Sequence, residues 1–310
     1  MGRSIRITES DQIYSVTNRT IEGRHFFAPR PEINALILAC LGRALHRCGV
    51  ELFAFIFMSN HFHILVRAPK ENLHEFMGYF TGRLAWEVNR YHNRRGPLFG
   101  GRYHAVPVLD DEALLQQYVY IAANPLAAGL ETSLGWPGIS SYASELSARP
   151  LVGHWLDREA LRRMRRRDRA ARPQEATVPY TIPITPLPRL AELTDAQRVE
   201  VLREAVVARE AEILERRATE GKHALLGAAE IVARGPEHRP ATEPCSPQPR
   251  CHTECPNTRR AYLETVREVT SAYRRAMKRW RACQDGIVFP DGTIPPGWNR
   301  VVRSARVGAS

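Results

Sequence analysis

Along the first 145 residues the spacing of apolar positions alternates between two periods, and each change marks an element. Ile13, Tyr14, Val16 and Thr17 predict a short first strand, followed by a polar connection from Arg19 to Arg24 that carries two cations. From Pro31, apolar residues at Ile33, Leu36, Ile37, Cys40, Leu41 and Leu45 recur at steps of three and four, the spacing of one helix face, and Gly49 supplies the stop. Leu52 to Met58 and Phe62 to Val66 are nearly continuous apolar runs separated by Ser59-Asn60, which predicts a central antiparallel pair. Leu73, Phe76, Met77, Phe80, Leu84 and Val88 predict a second helix, closed by a basic, Gly-rich loop from Arg94 to Arg102. Tyr103 to Val108 predicts a further strand, and Asp110 or Asp111 caps a third helix bearing Leu114, Leu115 and Tyr118.

This order of elements is that of a ferredoxin-like α+β sandwich, an antiparallel sheet with helices on one face. Beyond about residue 146 the pattern changes. Arg158 to Arg172 is dense in arginine, and Pro173, Pro179, Pro183, Pro186 and Pro188 follow within a short stretch, so residues 147–190 read as an Arg- and Pro-rich linker. Leu193, Val199, Leu202, Val206, Ile213 and Leu214 then predict a long polar helix, and Thr258 to Cys283 another with many arginines. The predicted organisation is a domain over residues 1–146, the linker, and a helical, basic region over residues 191–310.

Charge narrows the partner. Lys and Arg number 44 against 33 Asp and Glu, a formal net charge of +11, and such a surplus attracts polyanions. No apolar run approaches the ~20 residues needed to span a bilayer, and Arg3, Arg6, Glu9 and Asp11 interrupt any signal-peptide core, so a cytoplasmic protein without a membrane partner is expected. Six cysteines in 310 residues are too sparse for a disulfide scaffold, and reduced thiols fit that location. Cys245, Cys251, His252 and Cys255 suggest zinc by residue type, but their spacing lacks a paired CxxC pattern.

The sharpest chemical feature is His61-Phe62-His63 at the start of a predicted strand. Alternation puts both imidazoles on one face and Phe62 in the opposite layer, so the pair makes half a metal site. Standing alone, such a pair is as readily two polar residues on a solvated sheet. Tyr120 and Asn124, four apart on the third helix, share one helix face. If that face lies over the sheet, a phenol and a neutral oxygen donor converge on the histidines. Pro125 leaves Asn124 at a helix terminus. Tyr118 lies ~200° around the helix from Tyr120, so only one of the two faces the histidines.

Four segments in order, Met58-Ser59-Asn60-His61-Phe62-His63-Ile64-Leu65-Val66, Gly96 to Tyr103, Tyr120 to Leu130, and Trp136-Pro137 with Ser140-Ser141-Tyr142, resemble the motifs of single-tyrosine HUH transposases. The resemblance covers roughly residues 10 to 145 and is greatest to the REP-associated tyrosine transposases of the IS200-like group. Ala122, Ala123 and Ala127 stand where such proteins commonly carry basic or polar residues. The resemblance implies a metal-dependent DNA transposase and endonuclease acting on single-stranded or hairpin DNA, with Tyr120 as nucleophile and a 5′-phosphotyrosine intermediate. It also implies Mg²⁺ or Mn²⁺ held by His61, His63 and Asn124, and a protomer working alone or as a helix-exchanging homodimer. A covalent intermediate conserves the phosphodiester energy, so no nucleotide-binding motif is expected.

Arg19, Arg24, Arg94, Arg95, Arg102 and His104 flank these motifs and are the candidate DNA contacts, with Phe99 or Tyr103 available to stack on bases. Two other readings compete with strand transfer. A domesticated hairpin-binding protein has no need of all four of His61, His63, Tyr120 and Asn124. A zinc hydrolase built on HxH needs further strand-end ligands that the sequence does not show. The arginines of the C-terminal region are expected to add phosphate contacts.

Overall fold

A computed structural model of the chain describes residues 5, 7–239 and 249–296. Its centre is a four-stranded antiparallel sheet in the order β2-β3-β1-β4, formed by β1 (Ile13–Arg19), β2 (Glu51–Phe57), β3 (His61–Arg67) and β4 (His104–Val108). Helix α1 (Pro31–Cys48) joins the first two strands, and α2 (Leu73–Tyr91) joins β3 to β4. The predicted stops hold: Gly49 closes α1 with φ 62°, a left-handed turn that glycine adopts without strain. Asp110 caps α3 (Asp111–Ala122), its carboxylate accepting from the Ala113 amide at 2.8 Å.

Strand alternation divides the core in two. Phe62, Ile64 and Val66 of β3 point into one layer with Phe55, Phe57 and Val16, where Ile37 and Leu41 of α1 and Phe76 and Phe80 of α2 pack against them. This is the expected ferredoxin-like face. The other face, which carries His61, His63 and Leu65, is covered as well. There Leu114, Tyr118 and Ile121 of α3 meet Ile13, Ile56 and Leu65 in a second core. The chain continues through α4 (Asn124–Ala127) and α5 (Ser141–Ser147). Between and into these, the Trp136 indole donates to the Phe57 carbonyl at 3.0 Å and the Ser141 hydroxyl accepts from the Phe55 amide at 3.0 Å. The Trp136-to-Tyr142 motif therefore covers the outer edge of β2, an edge otherwise open to pairing with another chain.

Residues 147–190 are not an extended linker. β5 (Leu151–Leu156) and β6 (Thr177–Ile182) pair antiparallel and lie on α1, with Trp155 and Ile182 buried in the first core. The approach is close. A Cβ built on Gly153 falls 2.1 Å from the Leu38 carbonyl oxygen, and one on Gly42 falls 3.0 Å from the Tyr180 oxygen. Proline density hid this pair, because proline is tolerated wherever its missing N–H faces away from the partner, and both strands of a two-stranded sheet are edges. The arginine run becomes α6 (Arg158–Arg167), capped by Asp157 and burying only Leu161.

Three further helices follow, α7 (Asp195–Thr219), α8 (Ala228–Arg234) and α9 (Pro256–Arg281). Thr194 and Gln197 form a capping box at the start of α7. Leu202 and Val206 of α7 and Ile231 of α8 are buried in the second core, so a boundary at residue 146 cuts through both cores. By contrast α9 buries only Ala276. Among the described residues no helix is long and apolar enough to cross a membrane.

Candidate active site

The histidines sit at the start of β3, where register fixes their neighbours. His63 lies opposite Thr17 of β1, which lies opposite His104 of β4, and His61 lies opposite Arg19. The rings of His61 and His63 are 5.1 Å apart between centroids. Helix α3 crosses this face and brings the Tyr120 ring to 5.3 Å from that of His63. The chain then breaks after Ala122 and begins α4 at Asn124, which keeps Asn124 buried on the histidine side, its Oδ1 3.3 Å from His61 Nε2. The four residues singled out by spacing thus converge.

Asn60 completes the arrangement, and sequence spacing gave no reason to single it out. Its buried amide nitrogen donates to the Gly23 carbonyl at 3.0 Å, which orients its oxygen to accept from His61 Nδ1 at 2.7 Å. With the proton on Nδ1, Nε2 presents a lone pair to the Asn124 carbonyl oxygen, two acceptors facing one another with no proton between them. A cation relieves that repulsion. Replacing Asn60 with Ala is expected to weaken divalent-cation affinity about 10- to 100-fold, the usual effect of removing the hydrogen bond behind a ligand. Titration of the DNA-free protein with Mn²⁺, followed by electron paramagnetic resonance, checks it.

Burial sets the electrostatics. It holds His61 down at about 4, with the nearby Arg19 charge adding to the effect and the hydrogen bond that only the protonated ring's Nε2–H would give Asn124 opposing it. Burial, then the neighbouring His61, holds His63 well below the usual histidine range. Both imidazoles are therefore neutral at neutral pH, the form that donates to a metal. Among the described residues no group of three or more His, Cys, Asp and Glu is placed to hold a metal. The donor set here is instead two imidazoles and an amide oxygen, and it fits a divalent cation that keeps open positions for water and phosphate oxygens.

The two tyrosines of α3 are sharply different. Tyr120 is 42% exposed and reaches solvent above the histidines, its phenol raised by burial and lowered by a hydrogen bond from the Asn124 side chain. Tyr118 is 1% exposed and donates to the Glu145 carboxylate of α5 at 2.6 Å. Burial lifts Glu145 to about 7, against the pull of the Tyr118 hydrogen bond and Arg198. Between 4.5 and about 7 the folded chain therefore keeps a proton that the unfolded chain has released, so Glu145 makes stability fall as pH rises through that window. Glu145→Gln keeps a hydrogen-bond acceptor without the ionisation. Its urea midpoint is expected to vary less with pH across that window than that of the parent.

Of the basic candidates, Arg19 and His104 are exposed on the histidine face, and Arg95 and Arg102 are exposed on the loop leading to β4. Arg24 and Arg94 are engaged internally. Arg24 pairs with Glu22 at 2.8 Å and with Glu237, while Arg94 bonds Asn89 Oδ1 at 2.6 Å and lies 4.3 Å from the Phe26 ring. Both brace loops, a use of arginine that charge density along a sequence does not distinguish from phosphate binding. Phe99 and Tyr103 pack into the first core instead of standing free for bases. In the Cys/His cluster Cys251 is buried, Cys255 is exposed, and the His252 main chain pairs with the end of β4; Cys245 lies outside the described residues.

Residues 12–122 match the family model described as transposase IS200 like. No curated protein matches the chain. Several solved structures are similar, among them these two. One is a REP-associated tyrosine transposase bound to a REP hairpin, with a TM-score of 0.42 and 11% identity over 47% of this chain and 86% of that one. The other, a protein provisionally assigned as a transposase, from Deinococcus radiodurans R1, has a TM-score of 0.28 and 20% identity over 38% of this chain and 94% of that one.

Proposed function

We propose that the chain, whose residues 12–122 match the family model described as transposase IS200 like, cleaves and rejoins single-stranded or hairpin DNA with Tyr120 as nucleophile. The observation that carries this reading is the placement of one exposed phenol against two neutral imidazoles and an amide that contacts both groups. The Tyr120 oxygen attacks the phosphorus, a tyrosine–phosphorus bond forms, and the bond from phosphorus to the 3′ oxygen breaks. That oxygen leaves as a 3′-hydroxyl after taking up a proton, and the downstream strand stays attached through a 5′-phosphotyrosine. Attack by another 3′-hydroxyl reverses the step and joins strands.

Burial raises the phenol, so it keeps its proton until attack; that proton is the one the departing 3′ oxygen takes up, and the Asn124 hydrogen bond stabilises the phenolate character that develops. His61, His63 and Asn124 are the residues that hold Mg²⁺ or Mn²⁺, which when bound supplies charge neutralisation at the scissile phosphate. Asn60 keeps His61 Nε2 free for that task. Arg19 and His104, flanking the histidines on the same face, contact the strand on either side.

The test is incubation of the full chain and Mn²⁺ with single-stranded hairpin DNA labelled at its 3′ end. A labelled covalent adduct that survives denaturation is expected. Tight hairpin binding without any adduct would instead identify a binding protein that has kept the site without its chemistry.

A further inference from the structure

On the side of the sheet away from the histidines, arginines and aromatic rings interleave across α1, α2 and α6. The Arg47 and Arg83 guanidiniums lie 5.0 and 5.6 Å from the Tyr79 ring. Those of Arg158 and Arg90 lie 5.2 and 5.7 Å from the Trp86 ring, and Arg43 lies 4.2 Å from Trp155. Tyr79, Arg83, Trp86 and Arg90 follow one another at steps of four, three and four, so they form a single ridge along α2.

The ridge is open and its charge is little compensated. Trp86 is 47% exposed, although an indole of that size is ordinarily packed away. Glu87 takes Arg158 at 2.7 Å and Arg90 at 3.5 Å. Arg43, Arg47 and Arg83 have no carboxylate at ion-pair distance among the described residues. Helix α6 extends the field with Arg162, Arg163, Arg165, Arg166 and Arg167 exposed, of which Arg163 pairs with Glu159.

Guanidiniums that lie over rings are pre-positioned and still offer N–H groups outward, which suits phosphate oxygens, while an exposed indole offers a face on which an unpaired base stacks. An acidic peptide would satisfy the charge and leave the indole face unused. We propose that the ridge formed by α2 and α6 is a second DNA-binding surface, taking single-stranded DNA with phosphates on its arginines and a base on Trp86. It lies apart from the active site and does not depend on the cleavage chemistry.

The test uses the full chain and fluorescently labelled oligothymidylate, which forms no hairpin. Trp86→Ala is expected to weaken binding about tenfold, the effect of removing one stacked base. In the double variant Arg83→Gln/Arg47→Gln the slope of log affinity against log salt is expected to become shallower by about 0.7 for each phosphate that is no longer neutralised. Thermal midpoints measured alongside show whether each variant is folded, and all three substituted side chains are at least partly solvent-exposed. Unchanged affinity and slope in folded variants would overturn the proposal. So would loss of binding to duplex DNA, anionic vesicles or poly-glutamate with oligothymidylate unaffected. Adduct formation on hairpin DNA, read in the same variants, separates the two readings: a chain that never forms an adduct yet needs Trp86 to bind keeps this surface and loses the proposed chemistry.

Discussion

Tyr120→Phe is expected to abolish the covalent protein–DNA adduct and to leave the fold and hairpin affinity nearly unchanged. The substitution removes one oxygen from a side chain already 42% exposed, so the expected loss of stability is limited to a single hydrogen bond with Asn124, about 1 kcal/mol. Tyr118→Phe has the opposite profile. It leaves the Glu145 carboxylate buried without the donor that now stands at 2.6 Å, and is expected to cost about 1–3 kcal/mol while the adduct still forms. Denaturing gels of the adduct and thermal melts of both variants check the pair. An adduct that persists in Tyr120→Phe and disappears in Tyr118→Phe would reassign the nucleophile.

The second large effect is expected from the double substitution His61→Ala/His63→Ala. It removes both nitrogen donors, and the charge neutralisation they organise is worth several kcal/mol, so strand cleavage should fall by about a thousandfold or more. Mn²⁺ affinity measured without DNA should fall with it. Each single variant keeps one imidazole and Asn124, and excess Mn²⁺ is expected to recover part of its activity, which the double variant cannot regain. Because burial holds His61 near 4 rather than 6.5, cation affinity of the parent should persist as pH falls through the usual histidine range. Cleavage by the double variant at the parent rate, or full activity in EDTA, would remove the metal from the mechanism.

Much of this site was legible because its spacing is short-range. A two-residue alternation puts His61 and His63 on one face, a four-residue step aligns Tyr120 with Asn124, and Asp110 and Pro125 mark the start of α3 and the break at which Asn124 sits. What spacing did not show depends on distant parts of the chain. Asn60 matters because Gly23 turns its amide, and Gly23 lies on the connection after β1, which bonds to the turn between β2 and β3 through Thr20 and Phe27. The separation of Arg24 and Arg94 from Arg19 and His104 depends on whether a carboxylate or a ring lies nearby, as Glu22, Glu237 and Phe26 do. The β5–β6 pair escaped for a related reason: Pro179 within it and the prolines around it speak against strands locally, whereas its packing on α1 depends on Gly153 of β5 and Gly42 of α1, which admit a close approach.

The cap of α3 reaches further than its own helix. The second oxygen of Asp110 accepts from the Thr253 hydroxyl and from the Glu254 amide at 3.0 Å, immediately before α9 begins. The helix that carries the phenol is thus fastened at its origin by the far end of the same chain and at its other end by the packing of Ala123 and Leu126 on Ile213 of α7. Lending that helix to a neighbouring protomer would undo both fastenings together. The phenol and its histidines are consequently expected to act in cis, each chain carrying a complete cutting unit of its own.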